Sequence, residues 1–491
     1  MLTLLDLPQD VLLTIYASLS PQDILALKQT CRGLHAFGCV DYVWHQLKVD
    51  LPLDLPAIPE LDVNAVPAAT LQRSIMNALR LDDNWRRRQP CLKNMWKIPN
   101  SELIYQAQFV GTKLLVILSR NTRTINKIQA HLSVWRLPTS RCTQPLRIAT
   151  IECVPGARFS LAIQKGGENA LVIVFGAGVV SFKGVGIYSL NIQDAEDADL
   201  PDPDVLKLKA ICPSPIEGII GTTYMSGHMV AIMVARYPAG TRRYQILLIN
   251  TLTNYKTILD IPRHYLEFNQ MQLRLFPEAI AIITYNDRAP GIDISVRAFS
   301  AGILSTKIHP QSNLSSLSIP EEPWGEAISE YKLTSMPSFF DLCISPESAT
   351  RADDKLSLMV FYRQPRGAPT IPWDGAIFRF PLSFKRQSKP IIISKPVHQF
   401  KLPRHTQPDI VCVGKTGHRG IWTERRWDSD EYWLKRVSIP LPGEEPVTGD
   451  LFSRDITLPF ELYTIQSLWF EEATGRVVVA LHTGDMFIIE L

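Results

Sequence analysis

The sequence predicts a small all-α unit at the N-terminus followed by a long all-β domain. Three observations carry this. Within the first fifty residues apolar positions recur at helical spacing. From about residue 101 onward, short or alternating apolar runs rich in β-branched residues recur between Gly, Pro, Asn and Asp, the pattern of strands and turns. Between the two regions, prolines at 52, 56, 59 and 67 block any long helix and favour extended, semi-rigid chain. The chain has 491 residues, of which 46% are hydrophobic and 20% charged, a composition that excludes wholesale disorder. Lys and Arg number 51 against 48 Asp and Glu, a surplus too small to argue for a nucleic-acid partner. The longest nearly uninterrupted apolar run, 170–180, falls short of the ~18 residues of a membrane helix. The eight cysteines are scattered without a C-x-x-C pair, so no zinc site, redox pair or other cofactor is signalled. Residues 1–19 are apolar but contain Asp6 and Asp10, no early Lys or Arg and no small-residue cleavage site. They read as mature sequence in a reducing compartment, cytoplasm or nucleus.

The N-terminal unit reads as three helices. Leu7-Pro8 precedes an apolar series Val11, Leu12, Ile15 and Leu19, with Pro8 suited to a first helical turn. Ser20 reads as the N-cap of a second helix, with Pro21 at its first position and Asp23 in the place of the capping-box acid. Ile24, Leu25, Leu27 and Cys31 form the buried face of that helix, and Gly33 breaks it. A short third helix around residues 42–47 presents Val43, Trp44 and Leu47. A unit of this size buries little surface by itself, so some of its apolar residues should face a partner.

Residues 5–48 resemble the F-box family. The family pattern appears here as Leu7-Pro8, the apolar helix Leu12 to Leu19, Pro21-Gln22-Asp23-Ile24, Thr30-Cys31-Arg32 and Val43-Trp44, in order and at fitting spacing. One departure is Leu34, where the family often has Trp; the smaller side chain loosens local packing but keeps the face apolar. The resemblance covers less than a tenth of the chain. It implies that Leu7, Pro8, Ile15, Leu19, Leu27, Cys31, Val43 and Trp44 line the surface that binds a Skp-type adaptor, an apolar helix face docking in a groove. For any one of these residues, a place in the core is the competing reading.

The proline-rich stretch 51–69 reads as a spacer, after which Thr70 is expected to cap a linker helix over 71–81. Residues 71–100 carry Arg73, Arg80, Arg86, Arg87, Arg88, Lys93 and Lys97 against two acids. This reads as a solvated helix face and an interdomain loop rather than a phosphate-binding patch. The domain boundaries that follow are 1–50, 51–100 and 101–491.

In 101–491, apolar strand runs such as 113–119, 170–175, 229–235, 279–285, 356–362 and 476–481 are each followed by a second strand with an apolar-x-apolar ending. These second strands contain SVWRL near Trp135, GIYSL near Tyr188, ILLIN near Ile249, SVRAF near Arg297, IFRFP near Phe380, WLKRV near Val437 and FIIEL near Ile489, at spacings of 53, 61, 48, 83, 57 and 52 residues. A strand-turn-strand unit recurring at this scale is the sequence signature of a β-propeller blade, favoured over a β-sandwich pair or an irregular barrel, and seven is the favoured count. The spacing of 83 has room for an eighth blade, but its Pro/Ser-rich stretches 310–323 and 365–372 read better as insertions. Some endings, SVWRL among them, resemble WD-type repeats, although the Gly-His and Trp-Asp signatures are irregular. The last hairpin, around Gly484, ends the chain before another outer strand can form. A closed ring cannot leave that edge bare, so a segment within 91–110 should supply the missing strand.

The remaining motifs carry little chemistry. Val413-Gly414-Lys415-Thr416 ends like a phosphate loop, but Asp409 stands where the loop needs its first Gly; it reads as a hairpin turn. Gly176, Gly178, Gly184 and Gly186 read as bulges or turns. The acids Asp194, Glu196, Asp197, Asp199, Asp202 and Asp204 lack calcium-loop spacing and read as a solvated loop joining blades. One surface candidate for target binding combines Lys415, His418, Arg419, Arg425 and Arg426 with Trp422, near Trp427 and Trp433. Arg and Trp are enriched at binding hot spots, and Arg can hold a phosphorylated or acidic segment in bidentate fashion. The favoured alternative is that strand alternation packs Trp inward and Arg outward.

These features imply a non-catalytic adaptor. The F-box-like end would hold a Skp-type adaptor and through it a cullin of a ubiquitin ligase, and the propeller would hold a target protein. The alternatives are a scaffold using the F-box-like unit outside any ligase and a propeller-based carbohydrate-active enzyme, which would need paired carboxylates converging in the central channel.

Overall fold

The computed structural model describes residues 4–50, 66–100 and 102–491, the last apart from 122–128, 139–143, 155, 165–167, 176–184, 199, 213–218, 237–242, 254, 262–270, 277, 287–290, 305–320, 323–326, 335–338, 345–354, 364–371, 388, 415, 440–444 and 454. The spacer residues 51–65, the insertion stretches 310–320 and 365–371, and Gly176, Gly178 and Gly184 therefore lie outside the described residues.

The N-terminal unit opens with a 3-10 turn (Leu4–Asp6) and continues as α1 (Gln9–Ser18), α2 (Pro21–Lys28), α3 (Arg32–Phe37) and α4 (Asp41–Asp50). Ser20 caps α2 as its sequence demands: its Oγ accepts from the Asp23 amide at 3.2 Å and donates to the Asp23 carboxylate at 2.6 Å. The second helix does not reach Cys31. The Gln29 and Thr30 amides turn back to Ala26 and Leu27, tightening the last turn and ending α2 at Lys28. Cys31 becomes the N-cap of the additional helix α3, and Gly33 lies inside that helix rather than breaking one. Tyr16, Ile24, Leu34, Val43, Trp44 and Leu47 form the core. Leu34 occupies its place inside, where its carbonyl accepts the Tyr16 hydroxyl at 2.8 Å. Trp44 donates its indole N–H to the Gly38 carbonyl at 2.8 Å.

The linker helix α5 is longer than expected, spanning Ala68–Arg86. Thr70 is not its cap. The helix follows Pro67, and the Asp41 carboxylate at the start of α4 accepts from the Ala68 amide at 2.6 Å. Its far end continues past Leu81 because Leu81 and Trp85 are buried against the propeller. Its near end packs Leu71 and Ile75 into the N-terminal core. Arg73 and Arg80 point to solvent, Arg86 and Arg87 pair with Asp82 and Asp83 one turn earlier, and Lys97 pairs with Asp485 at 2.8 Å.

Seven sheets follow, each a blade. Blade 1 is Leu103–Val110, Leu114–Asn121, Gln129–Arg136 and Leu146–Cys153; blade 2 is Arg158–Ile163, Asn169–Phe175, Val185–Asn191 and Leu206–Cys212. Blade 3 is Ile219–Ser226, Met229–Arg236, Arg243–Asn250 and Tyr255–Asp260; blade 4 is Met271–Leu275, Ala279–Asn286, Gly291–Ala298 and Ser329–Thr334. Blade 5 is Phe339–Ile344, Lys355–Arg363, Asp374–Pro381 and His398–Lys401; blade 6 is Thr406–Val413, Arg419–Arg426, Tyr432–Ser438 and Val447–Asp450. Every one of the seven sequence anchors lies on, or immediately after, the third strand of its blade.

The long spacing of 83 residues holds no eighth sheet among the described residues. Instead Glu321–Glu322 adds a parallel fifth strand to the outer edge of blade 3, and Ile391–Ile393 adds one to blade 4. The acidic stretch 194–204 does not join blades. It links the third and fourth strands of blade 2, with Asn191 and Asp202 as helix caps and Glu196 paired to Lys113 at 2.5 Å; Asp199 lies outside the described residues. Gly186 is a strand residue rather than a turn, next to the β-bulge between Ile187 and Tyr188, and a Cβ there would meet the Tyr188 ring at 2.8 Å.

The second strands read as continuous apolar runs because neighbouring blades cover both their faces. In blade 1, Leu114, Val116 and Leu118 pack towards blade 2, whereas Leu115 and Ile117 pack towards blade 7. Blade 7 itself is Ile465–Glu471, Arg476–Leu481 and Met486–Glu490, completed by Asn94–Ile98 from the far end of the domain. Asn94 pairs with Glu490 and Ile98 with Met486, so the missing outer strand falls inside the expected segment 91–110. Gly484, at φ 89°, makes the preceding turn.

The helix α5 is held to the turns between first and second strands of blades 6 and 7. Arg419, at the start of its strand, pairs with Asp82 at 3.0 Å, both side chains nearly inaccessible, and donates to the Glu472 carbonyl at 3.0 Å. Arg436 donates to the carbonyls of Trp85 and Arg87, which the helix end leaves without intrahelical partners. Burial pushes the Arg436 guanidinium down to about 10, with Asp450 acting the other way, so it remains charged at neutral pH. Gly475, at φ 68°, brings the blade 7 turn so close that a Cβ would meet Leu81 at 2.5 Å. No helix among the described residues is long and apolar enough to cross a membrane.

Three outcomes are expected. Ending the chain after Val479 removes the strand that receives Asn94–Ile98, and the ring opens. Size exclusion should then show association, and the thermal transition should lose cooperativity; an unchanged, monomeric protein would count against the closed ring. Deleting residues 1–50 exposes Leu71 and Ile75 but leaves the contacts of Leu81 and Trp85, so the propeller's thermal midpoint should stay within a few degrees. Asp82→Ala strands a buried guanidinium and should cost ~3–5 kcal/mol in urea unfolding, whereas Asp82→Leu with Arg419→Met should cost much less.

Candidate functional site

Two surfaces are in question, and the first is on the N-terminal helices. α1 divides its apolar residues between two faces. Leu12 and Tyr16 are buried inside, with Leu13 and Leu19 half-buried against the same core. Leu7, Val11 and Ile15, spaced by one helical turn, lie on another face outside that core. Leu7 and Ile15 are half-buried, Pro8 is exposed, and Val11 keeps 39% of its surface. Leu4, 38% exposed, precedes this stripe in sequence.

Of the residues expected to contact an adaptor, Leu7, Pro8 and Ile15 lie outside the helical core, and Cys31 is exposed at the start of α3. Leu19 and Leu27 are half-buried against the core. Val43 and Trp44 are corrected to interior positions: both are at 0% exposure, because α4 packs that face against α1 and α5. Val11 and Leu4 were missed as contact candidates. The signal for Val11 was present in the spacing Leu7, Val11, Ile15.

The second surface is on blade 6. Lys415 lies outside the described residues, while the neighbouring Gly414 amide donates to the Arg419 carbonyl at 2.7 Å, as a hairpin turn requires. His418, Arg419 and Trp422 do not form a rim. The strand Arg419–Arg426 is the second of its blade, covered on both sides, and its first half is interior. His418 is buried with Nδ1 at 3.0 Å from the Ile439 carbonyl, and Arg419 is engaged by Asp82 under α5. Trp422 sits 5.4 Å from both the Phe361 and Phe400 rings, between blades 5 and 6. Beside it burial pushes the Glu424 carboxyl up, with Lys435 and the Trp422 indole N–H holding it the other way.

Only the far end of the strand reaches solvent. There Arg425 stacks 5.2 Å from Trp427 and 5.6 Å from Tyr432, and pairs with Asp430 at 2.9 Å. Arg426 pairs with Asp428 at 2.7 Å and lies 5.7 Å from Trp433, which Lys435 also approaches at 4.7 Å. Lys435 in turn pairs with Asp450 at 2.6 Å. Trp427 is 61% exposed. Each cation thus already holds a carboxylate, so the tip offers planar aromatic and guanidinium faces rather than a bare cationic site for phosphate. Arg outward and Trp inward describes Arg425 and Trp422 but not Arg419. Among the described residues no group of three His, Cys, Asp or Glu is placed to hold a metal ion.

Among solved structures the chain is similar to the WD40 domain of SCAP from fission yeast, at 9% identity and a TM-score of 0.40 over 81% of this chain and 94% of that one. It is also similar to the acylaminoacyl peptidase of Pyrococcus horikoshii, at 9% identity and a TM-score of 0.41 over 77% of this chain. An acylaminoacyl peptidase in complex with Z-Gly-Gly-Phe-chloromethyl ketone is similar at 11% identity, a TM-score of 0.40 and 77% coverage. This chain spans about half the length of the two peptidases, 49% in each case. No curated protein matches the sequence. Residues 4–50 match the family model described as F-box-like, and with the strand pairing above they make this chain an F-box-like domain followed by a seven-bladed β-propeller.

Proposed function

We propose that the protein is a non-catalytic substrate receptor of a cullin-type ubiquitin ligase, in which α1 docks on a Skp-type adaptor and the propeller holds a target protein. The observation that carries this reading is the apolar stripe of Leu7, Pro8, Val11 and Ile15, exposed or half-buried and outside the core, on a domain matched by the F-box-like model. An amphipathic helix laid in an apolar groove recovers ~25 cal/mol for each Å² removed from water. The chain itself performs no step of ubiquitin transfer; its contribution is to hold a target near the ligase and raise its effective concentration. Helix α5 supports that role, because it is buried at one end in the F-box-like core and at the other against blades 6 and 7. The exposed Arg425–Trp427–Tyr432 tip is available for a target contact. A scaffold acting outside any ligase is the second reading, and it predicts adaptor binding without a cullin.

Affinity purification of the full chain with adaptor and cullin tests the reading. Ile15→Lys puts a charge on the docking face and should abolish adaptor co-purification, and Leu7→Ala with Pro8→Ala should weaken it about tenfold. Gln9→Lys, on an exposed position, should change little. Because Ile15 lies outside the buried cluster, circular dichroism of the Ile15→Lys protein should be unchanged. Full adaptor recovery with both variants would sink the receptor role. Adaptor recovery without cullin would favour the scaffold.

A further inference from the structure

Residues 375–408 contain no Asp or Glu and seven Lys or Arg. The middle of this run leaves the third strand of blade 5, crosses to the outer edge of blade 4 and returns. The crossing is anchored rather than loose. The Tyr331 hydroxyl donates to the Pro381 carbonyl and accepts from the Ser383 amide, both at 2.7 Å, and Ser329 Oγ donates to the Ser383 carbonyl at 2.8 Å. The Gln387 amide donates to the Ile328 carbonyl at 2.8 Å, and the Val397 amide returns the chain to the Ile377 carbonyl at 2.8 Å. Between these anchors Ile391–Ile393 runs parallel to Tyr331–Leu333 as the last strand of its sheet. Among the described residues nothing pairs with its second edge.

The side chains of this strap are unusual for a sheet edge. Ile393 packs against the core between blades 4 and 5, but Ile392 is 65% exposed. Lys385, Lys389 and Lys395 are exposed on the same strap and form no ion pair among the described residues. The nearby Lys332, opposite Ile392, is the cross-strand neighbour of Asp293 and favours its carboxylate, and Lys401 faces Asp374. Flanking lysines and prolines commonly shield an edge from aggregation, and Pro390 and Pro396 bracket this one. Shielding does not call for an exposed isoleucine at the centre of the strand, where a polar residue would serve better.

We infer that this edge is a docking site for an acidic, extended segment of a partner protein, which adds a strand beside Ile391–Ile393, covers Ile392 and sets its carboxylates against Lys385, Lys389 and Lys395. An anionic membrane would meet the same lysines and apolar side chains, but it has no use for the backbone N–H and C=O groups on the free edge of this short strand, with which an extended peptide pairs. The site belongs to the propeller rim alone and does not depend on what the N-terminal helices bind.

The test uses the full chain and a fluorescein-labelled peptide of alternating Glu and Val, read by anisotropy. The same peptide with Lys for Glu is the charge control, and phosphatidylserine-containing vesicles are the membrane arm. Binding of the Glu peptide is expected, weakening with salt, and absent for the Lys peptide. Lys389→Glu with Lys395→Glu should weaken it about tenfold or more, with an unchanged thermal midpoint because both lysines are exposed. Ile392→Ser should weaken it several-fold. Failure to bind the Glu peptide, or equal binding by the double lysine variant, overturns the inference. Vesicle binding that is lost in that variant while the peptide is ignored reassigns the patch to a membrane and overturns it equally. Unchanged binding by Ile392→Ser leaves only an edge-shielding role for the strand and removes the docking site.

Discussion

A ring of sheets has no tolerance for one short blade. Every blade here hides its faces against two neighbours, so the ring is stable only when the last gap is filled, and the filling strand comes from Asn94–Ile98. Pairing that strand with Met486–Glu490 places the start of the domain beside its end. It also fixes where the linker enters, on the side of the ring where the first and second strands of each blade meet. The docking of α5 over blades 6 and 7 follows from that entry point, and the placement of the F-box-like helices follows from α5.

The charges beneath α5 are the expensive part of this arrangement. Arg419 and Asp82 are both withdrawn from water, and such a pair often gains little over a well-packed apolar substitute. Its use is in geometry. A buried guanidinium accepts few orientations of its partner, and Arg436 adds a second fixed point on the carbonyls at the helix end. Apolar contacts at Leu81 and Trp85 supply attraction, and the two arginines supply direction. Under the proposed receptor role, holding a target at a set distance from an enzyme would gain from direction more than from attraction.

Much of this was legible in the sequence, for reasons that differ by element. The third strands of the blades could be located because each carries an apolar-x-apolar ending at blade spacing. The closing strand was a deduction from an edge that could not stay bare. Ser20 and Pro21 announced α2 because capping is local chemistry. What stayed hidden was non-local. Arg419 reads as a solvent-facing residue at a strand start until Asp82, 337 residues earlier, is placed on top of it. The two-residue strand Glu321–Glu322 is too short to show any period, and its partner is in another blade. Val43 and Trp44 belong to the F-box pattern, yet the side of α4 that carries them is closed off by α1 together with α5, which the pattern does not include. Exposure of Arg425 but not of Arg419 on one strand reflects what covers each end, not the alternation of the strand.

The pairing of Asn94–Ile98 with Met486–Glu490 also sets an order of events during synthesis. The early strand leaves the ribosome long before its partner exists, and the contact between Lys93 and the Leu491 carbonyl spans 398 positions. Closing a loop of that length from an unfolded chain costs roughly 4 kcal/mol more than closing a four-residue hairpin. Blades 1 to 6, folding one after another as they emerge, curve the chain so that its two ends approach, and most of that entropy is lost in small steps. The ring therefore closes last, and until it does, the waiting N-terminal strand and the edges of the nascent arc are open to other chains. Production of this fold depends on how quickly the final hairpin is made and captured.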